Sequence, residues 1–484
     1  MSKIIKQIDE TVRRKTAARC RERGIVIPSF AELRNPEKIP ASIRAKLPGL
    51  GMNEVHPLNL YRISWKNDVK TGLYGPVNAL ELPPAVTGIK ARVVGLVGKH
   101  FPTGAHKVGA AFGCLVPRLA SGEFDPEIHK AVWPSTGNFC RGGAFDCALL
   151  GCRAVAILPE EMSQERFDWL REIGAEVIAT PGCESNVKEI YDKCNELAAD
   201  PLNMIFNQFA EFGNPIFHYQ VTGPAAQEVF EAHRPERGRL AAFVSATGSA
   251  GTIAVGDYLK TLHPQLRVVA TEARQCPTLF MNGFGGHRIE GIGDKHVPWV
   301  HNVRATDAIA AIDDEDCMRL LRLFNEEAGH RYLQGLGMAE AECRSLSLLG
   351  ISGICNTLAA IKTAGYFELG TDDVIVTIFT DSVDLYRSRL EELRQSQGAY
   401  REIDAARDHA AVIGHQGADW FKELNYHDRK AIHNLKYFTW VEQQGKAIED
   451  LNAQWQPEFW QEMFTGEIGA FEKLIADFNR EVGL

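Results

Sequence analysis

The chain has 484 residues, of which 45% are hydrophobic and 24% are charged, so its composition is that of a globular protein with room for more than one core. Its formal net charge is -9, which leaves no broad positive field to attract nucleic acid or an anionic membrane surface. No apolar run has the length of a membrane span or a signal peptide, and the 11 cysteines include no CxxC pair. We therefore expect a cytoplasmic protein with reduced thiols that acts on small molecules.

Residues 1–60 begin with a helical pattern and continue through a proline-rich stretch, which predicts an arm on the surface of a larger core. From residue 61 to about residue 390, short apolar runs alternate with helical patterns. These runs are RVVGLVG, AVWPS, AVAILP, EVIATPG, NMIFNQF, AAFVSAT, RVVATEA and VIVTIFT. Fully apolar strands of this kind predict an α/β core with parallel sheets covered on both faces, and a ligand site at the carboxyl ends of the strands.

The first candidate for chemistry is Lys107, within FPTGAHKVGAAF. Pro102 and Gly104 predict a turn and a helix start, and the small residues after the lysine let that helix pack closely. A lysine amine in such a crowded, apolar place is easily kept neutral, so it can attack a carbonyl and form a Schiff base. Taken alone, the residue is better interpreted as an ordinary solvated surface charge, and only its context favours the Schiff base.

Three loops at strand ends carry further candidate residues. STGNFCRGG begins with the last residue of AVWPS and leads into a helix predicted to begin at Gly142. Its hydroxyls and the amides at the helix start could bind a carboxylate, or the hydroxyls merely cap the helix. SATGSAGT follows AAFV, and its glycines let several N–H groups converge on a phosphate monoester. In GISG, Ser352 lies at a predicted strand-to-helix junction, where it caps the helix or meets a ring nitrogen.

With these pieces in this order, the chain resembles the fold type II pyridoxal phosphate enzymes, most closely the cysteine synthase and cystathionine β-synthase branch. The similarity runs from about residue 61 to residue 390. PTGAHK resembles the Schiff-base lysine motif, STGN the substrate-carboxylate loop, GSAGT the phosphate cup, HRIEGIGD the mobile inner loop, and LLGISG the segment of the pyridine-nitrogen serine. The resemblance implies two three-layer αβα subdomains with parallel-type sheets, pyridoxal 5'-phosphate as cofactor and a homodimer.

The resemblance also implies a role for each matched residue. Lys107 is expected to hold the cofactor as an internal aldimine and then to remove the substrate α-proton. The cofactor contacts are expected from His106, Asn138, Gly248, Ser249, Ala250, Gly251, Thr252 and Ser352, and the substrate contacts from Ser135, Thr136, Gly137 and Gln208. Because Ser352 is a neutral hydroxyl, the ring is a weak electron sink, which favours loss of a β-substituent through an aminoacrylate intermediate.

Several positions depart from the cysteine synthase pattern. Ala250 stands where that branch has glycine, and TGAHK with His106 is closer to tryptophan synthase β chains, although the STGN loop lacks the acidic residue expected for indole chemistry. Phe139 and Cys140 are predicted to narrow the pocket. We interpret Arg141 as a solvated helix residue or a subunit salt bridge, with pairing to a second acidic group of the substrate as the alternative.

Residues 327–349 include an insertion relative to the family, and residues 391–484 have no counterpart in a minimal cysteine synthase. This extension holds four of the eight tryptophans and a helical pattern in its last segment, which predicts a helical cap docked on the core or on a partner subunit. The alternative is that KYFTWVEQQGK reaches the mouth of the active site and helps to select the substrate. His427 and His433 lack acidic or cysteine partners at ligand spacing, so we expect no metal site.

The sequence thus predicts a pyridoxal phosphate enzyme, a transferase or lyase that acts at the β-carbon of an L-amino acid, by β-replacement as in cysteine synthase. The first alternative is β-elimination, an ammonia-lyase reaction that gives a 2-oxo acid. The second is a noncatalytic scaffold or binding protein that kept the fold. The organisation predicted is an arm at 1–60, a catalytic core of two subdomains at 61–390 and a helical, aromatic-rich extension at 391–484.

Overall fold

The computed structural model describes residues 5, 7–135, 137–183 and 186–484. Its strands are β1 Asn67–Asp68, β2 Leu73–Tyr74, β3 Ala79–Leu82, β4 Arg92–Val97, β5 Lys130–Pro134, β6 Arg153–Pro159, β7 Glu176–Thr180, β8 Asn203–Ile205, β9 Arg239–Ala246, β10 Arg267–Ala273, β11 Ala308–Ile312, β12 Asp373–Phe379 and β13 Phe421–Glu423. These strands form two sheets and one separate hairpin.

The α-helices are α1 Glu10–Glu22, α2 Phe30–Arg34, α3 Ala41–Arg44, α4 Pro84–Thr87, α5 Lys107–Ser121, α6 Asn138–Leu150, α7 Gln164–Glu172, α8 Val187–Ala198, α9 Gly213–Phe217, α10 Gly223–His233, α11 Ile253–Leu262, α12 Thr278–Met281, α13 Asp314–Asn325, α14 Glu327–Gly335, α15 Glu340–Ser345, α16 Ile351–Tyr366, α17 Arg387–Gln397, α18 Glu402–Asp408, α19 Tyr426–Lys436, α20 Ile448–Ala453, α21 Pro457–Gln461 and α22 Glu467–Val482. Taken by itself, none of the described helices has the length and apolar character to cross a membrane, whereas Glu340–Leu348 and Ile351–Tyr366 pass that test only as a pair bent by 110°.

The larger sheet has the strand order β13-β11-β10-β9-β12-β4-β3. Its five inner strands are parallel, and β3 and β13 pair antiparallel at the two edges. The inner strand β12 is buried at every position, as a strand covered on both faces must be. The smaller sheet, β7-β6-β5-β8, is wholly parallel. The α/β class with parallel sheets is therefore confirmed.

Two local predictions are wrong. The helix after β5 begins at Asn138, not at Gly142, because the positive φ of Gly137 (146°) turns the chain directly into the helix. Gly142 serves close packing instead, since a Cβ there would lie 2.7 Å from the Cα of Val108 on α5. The segment before Ser352 is a 3-10 turn, Leu346–Leu348, and not a strand, so this serine lies in the first turn of α16.

The first 60 residues and the extension both contribute to the main core. Ile25, Ile27 and Phe30 are buried in the same apolar cluster as α5, so this arm is partly interior and not merely a surface arm. Phe30 stacks on Phe471 of α22 with ring centroids 4.3 Å apart. The extension is mostly helical, and its strand β13 also adds an edge to the larger sheet, which the sequence did not predict.

Candidate active site

Four strand ends converge on one cavity. The segments after β4, β5, β9 and β12 bring Lys107, Ser135, Ser249 and Thr380 to it, as the carboxyl ends of parallel strands do in open α/β sheets. The cavity is lined by Lys107, Ser135, Asn138, Phe139, Gln208, Phe209, Gly248, Ser249, Gly291, Ile292, Gly293 and Thr380. Residues predicted from three separate motifs are therefore neighbours in space.

The amine of Lys107 lies against the glycine-rich loop. Its Nζ donates to Ser249 Oγ at 3.1 Å, and Asn214 Nδ2 donates to the same oxygen, also at 3.1 Å. The loop is packed so closely that a Cβ on Gly251 would come within 2.0 Å of Asn214 Oδ1, and one on Gly248 within 2.6 Å of the Gly291 carbonyl. The loop leads into α11, a helix start that favours an anion.

These features suit pyridoxal phosphate. The loop offers the amides at the start of α11 and the hydroxyls of Ser249 and Thr252, groups that bind a phosphate monoester, and Thr252 Oγ1 is fixed by Ser245 Oγ at 2.6 Å. The buried Oδ1 atoms of Asn138 and Asn214 meet no hydrogen-bond donor within the described ranges. The Lys107 amine, the glycine-rich loop and the two asparagine Oδ1 atoms are thus close to one cavity.

Ala250 in the same loop has a left-handed backbone, with φ of 59°. A residue with a Cβ is strained in this region, whereas glycine is not. The departure from glycine noted in the sequence therefore carries a conformational cost.

His106 is fully buried next to Lys107 but does not line the cavity. Its ring contacts those of Trp65 and His218, with centroids 5.5 and 5.0 Å away, and its Nε2 is 3.3 Å from Thr380 Oγ1. Burial, with the adjacent lysine, lowers the pKa of His106 to about 3, so the imidazole is neutral. Its contact with a cofactor stays a prediction.

The loop after β5 presents Ser135 and Asn138 to the cavity. Ser135 Oγ accepts from the amide of Gly137 at 3.0 Å, while Gln208 approaches from the segment after β8. Phe139 forms part of the wall, as predicted, whereas Cys140 is buried with its Sγ on the Gly137 carbonyl. Thr136, a predicted carboxylate contact, lies outside the described residues.

Behind this loop lies a buried polar network that the sequence did not predict. Asn138 Nδ2 donates to Asp381 Oδ2 at 2.6 Å, and the Tyr386 hydroxyl donates to the same oxygen at 2.8 Å. Arg166, fully buried, pairs with Glu290 and lies 3.9 Å from Asp381. Burial raises the pKa of Asp381, and the Arg166 guanidinium opposes that rise. The network fixes the side chain of Asn138 from behind.

Arg141 corrects another prediction, because it is buried rather than solvated, with 3% of its surface exposed. Its guanidinium lies 4.7 Å from the centre of the Trp169 ring, where a cation–π contact replaces water. Burial, together with the nearby Arg166, lowers the pKa of Arg141 to about 10.

Thr380 lines the cavity, whereas Ser352, although buried, is absent from its lining. Sequence reasoning missed Thr380, Asp381, Arg166 and Asn214. The only available signal for the first two was the run TDS directly after the apolar strand VIVTIF, the same strand-end signal that identified the other loops.

Comparisons with known proteins agree with this geometry. Residues 73–381, more than half of the chain, match the family model described as pyridoxal-phosphate dependent enzyme. A cysteine synthase from Staphylococcus aureus is 31% identical over 288 residues, which cover 59% of this chain and 84% of that protein. Cystathionine beta-synthase from Saccharomyces cerevisiae is 28% identical over 326 residues, 65% of this chain and 60% of that protein.

Among solved structures, O-acetylserine sulfhydrylase isoform 3 from Entamoeba histolytica superposes with a TM-score of 0.56 at 24% identity, covering 70% of this chain and 94% of that one. This likeness shows the fold. The chain belongs to the family of pyridoxal-phosphate dependent enzymes.

Proposed function

We propose that this enzyme catalyses β-replacement on an L-amino acid, in which a substituent on the β-carbon leaves and a nucleophile such as sulfide, a thiol or an amine takes its place. The observation that carries the proposal is the Lys107 amine 3.1 Å from Ser249 Oγ, in a cavity that also presents Ser135 and Gln208. Similarity to cysteine synthase from Staphylococcus aureus supports the same reaction class.

Lys107 would hold pyridoxal phosphate covalently through Nζ, with its phosphate on residues 248–252. When bound, the cofactor supplies an electron sink that weakens the bond between the α-carbon and its proton. Once displaced from the cofactor by the substrate amine, Lys107 Nζ would take that proton as a general base. The Ser249 hydroxyl, held by Asn214, keeps the lysine amine at a fixed place beside the cavity.

The substrate carboxylate would lie against Ser135 and Gln208 at the start of α6, where backbone amides and the helix dipole favour a negative group. Asn138 would turn its second amide hydrogen towards the cofactor oxygen, since its first is donated to Asp381. Phe139 and Phe209 cover this region with apolar surface. Because these two rings exclude water, they strengthen the polar contacts of the substrate carboxylate and of Asn138.

The residues that we propose would meet the cofactor's ring nitrogen carry neutral hydroxyls. We propose Ser352 for the contact with the ring nitrogen, and Thr380, which lines the cavity, is the second candidate. Neither hydroxyl can keep that nitrogen protonated as a carboxylate would. This arrangement favours early loss of a β-substituent over reactions that need a long-lived carbanion.

The first experiment is chemical labelling. Borohydride reduction of the yellow protein followed by peptide mass analysis should place the cofactor on Lys107, and Lys107→Ala should lose both label and activity. Lys130→Arg is the matched control, because that lysine pairs with Glu176 on an exposed edge. Label on another lysine, or full activity in the alanine variant, would refute the assignment.

The second experiment separates replacement from elimination. With an O-activated serine, the wild type should form the substituted amino acid when sulfide is present and should release little ammonia without it. Rapid ammonia and 2-oxo acid formation in the absence of a nucleophile would assign the lyase reaction instead. A colourless protein that takes up no pyridoxal phosphate would point to a noncatalytic role.

We also propose a homodimer in the cytoplasm, on the family resemblance for the dimer and on the sequence for the compartment. Large side chains such as Phe284, which is 78% exposed, are available for a contact between subunits. Light scattering that gives the mass of one chain would refute the dimer.

A further inference from the structure

Trp440, in the C-terminal extension, is buried against the catalytic core. It belongs to the π-helical turn Tyr437–Gln443 and is 1% exposed. Its indole Nε1 donates to the Val297 carbonyl at 2.8 Å, and its ring lies 6.1 Å from that of Tyr191 and 6.3 Å from that of Trp299. Together with Phe209, these residues form a buried aromatic cluster, defined as Tyr191, Phe209, Trp299 and Trp440.

Lys436, at the end of α19, holds the same segment of the core. Its fully buried Nζ donates to the carbonyls of Trp299 at 2.9 Å and His301 at 2.7 Å, and to Gln454 Oε1 at 2.8 Å. All three acceptors are neutral, and burial lowers the pKa of this lysine well below its ordinary value. The extension thus holds three alternate carbonyls of one short segment, those of residues 297, 299 and 301.

This segment continues directly from one wall of the cavity. Gly291, Ile292 and Gly293 line the cavity, and residue 297 follows four positions later. On the other side, the Val300 amide donates to the Phe209 carbonyl at 3.2 Å, and Phe209 also lines the cavity. The cluster therefore includes one wall residue, Phe209, and is joined to the 291–293 wall through the chain that leads to residue 297, while Trp440 itself does not line the cavity.

Glycine-rich walls are mobile unless something behind them fixes their path, because glycine has the widest range of backbone conformations. The Arg166–Glu290 pair, directly before this wall, lies within the match to the family model, whereas Lys436 and Trp440 lie beyond residue 381, where that match ends. The role of Lys436 and Trp440 is therefore specific to chains that carry the extension.

We propose that Lys436 and Trp440 are positioning residues that hold the 291–293 wall against Phe209 and so keep water out of the cavity after the β-substituent has left. This inference rests on the proposed β-replacement. With the wall held, an amino acid bearing a substituent X reacts with a nucleophile Nu–H to give the Nu-substituted amino acid and HX. With the wall loosened, the same amino acid reacts with water to give HX, a 2-oxo acid and ammonia.

The test compares holoenzyme variants within one helical turn. Trp440→Ala removes the hydrogen bond to Val297 and the ring contacts, whereas Phe438→Ala, in the same turn and 55% exposed, is the matched control. We expect Trp440→Ala to raise the ratio of 2-oxo acid to substituted product about tenfold, the size expected for the loss of one buried hydrogen bond from a wall. Phe438→Ala should leave that ratio unchanged.

A second measurement does not depend on activity. Amide hydrogen exchange in peptides spanning residues 287–301 should be faster in Trp440→Ala than in Phe438→Ala, with α5 peptides equal in both. If Trp440→Ala fails to fold, Trp440→Phe removes the N–H donor but keeps an aromatic ring, and it should shift both readouts in the same direction by a smaller amount. Unchanged exchange and an unchanged product ratio in a folded Trp440 variant would overturn the inference.

Exchange also separates this inference from the proposed function. If the wild type shows neither replacement nor elimination but residues 287–301 exchange faster in Trp440→Ala, the structural role of the extension stands and the reaction assignment fails. If the wild type carries out β-replacement and the exchange of this segment is the same in all variants, the extension does not hold the wall.

Discussion

The buried carboxyl of Asp146 is expected to make the stability of the protein depend on pH. This carboxyl is on α6, is 0% exposed, and neither of its oxygens meets a hydrogen-bond donor among the residues that the structure describes. Burial raises its pKa well above the ordinary value, with no compensating charge nearby. The folded chain therefore keeps a proton on Asp146 at a pH where the unfolded chain has released it.

The free energy of unfolding is expected to fall as the pH rises. A group that binds its proton more tightly in the folded state lowers the free energy of unfolding as the pH rises, by about 1.4 kcal/mol per pH unit between the two pKa values. Between about pH 5 and pH 7 the wild type should therefore lose stability that Asp146→Asn does not lose, with a slope of at most about 1.4 kcal/mol per pH unit. Because asparagine has the same shape and cannot ionise, this difference isolates the carboxyl.

The assay is urea unfolding of the wild type and Asp146→Asn at both pH values, with Asp372→Asn, an exposed carboxylate, as the control. We expect the variant to gain stability relative to the wild type as the pH rises, and the control to show no such trend. Parallel pH profiles for wild type and Asp146→Asn would mean that the carboxyl is hydrated or paired in solution, and would refute the reasoning.

Three further predictions concern the site. Tyr386→Phe removes a hydrogen bond to the Asp381 carboxylate and should lower kcat/KM by roughly tenfold or more while the protein stays folded; unchanged kinetics would contradict a role in fixing the network. Gly137→Ala would place its Cβ 2.2 Å from Arg166 Nε at a φ of 146°, so we expect weakened cofactor binding by titration and a loss of roughly 2–5 kcal/mol of stability. Ala250→Gly should relieve left-handed strain and change stability by less than about 1 kcal/mol in either direction, with a larger loss excluding that account.

Much of the fold could be predicted because the inner strands are buried on both faces and are therefore apolar along their whole length. The run VIVTIF became β12, a central strand on which α16 and α10 pack and which is buried at every position. Strand β11 was missed because AIAAI is rich in alanine, which has little preference for strands. Strand β13 was missed because it has only three residues and lies at an edge.

The candidate site was predictable to the extent that its residues stand in short motifs at strand ends. Lys107 and Ser249 are 142 positions apart in sequence and 3.1 Å apart in space, and each was recognised from its own loop. Arg141 was misinterpreted for the opposite reason. A charged side chain is usually solvated, and only the fold brings Trp169 over its guanidinium and removes the water.

The buried network shows why the remaining site residues could not be found from local sequence. Its members come from α6, α7, the inner loop and the segment after β12, and the Asn138–Asp381 contact spans 243 positions. A buried ion pair such as Arg166–Glu290 adds little net stability, because desolvation offsets most of the attraction, but removing one partner leaves an uncompensated charge. Such a pair therefore destabilises every conformation in which the inner loop and α7 do not meet, because one buried charge is then left unpaired. The network therefore acts through geometry: it fixes the loop of Asn138 in relation to the wall of the cavity.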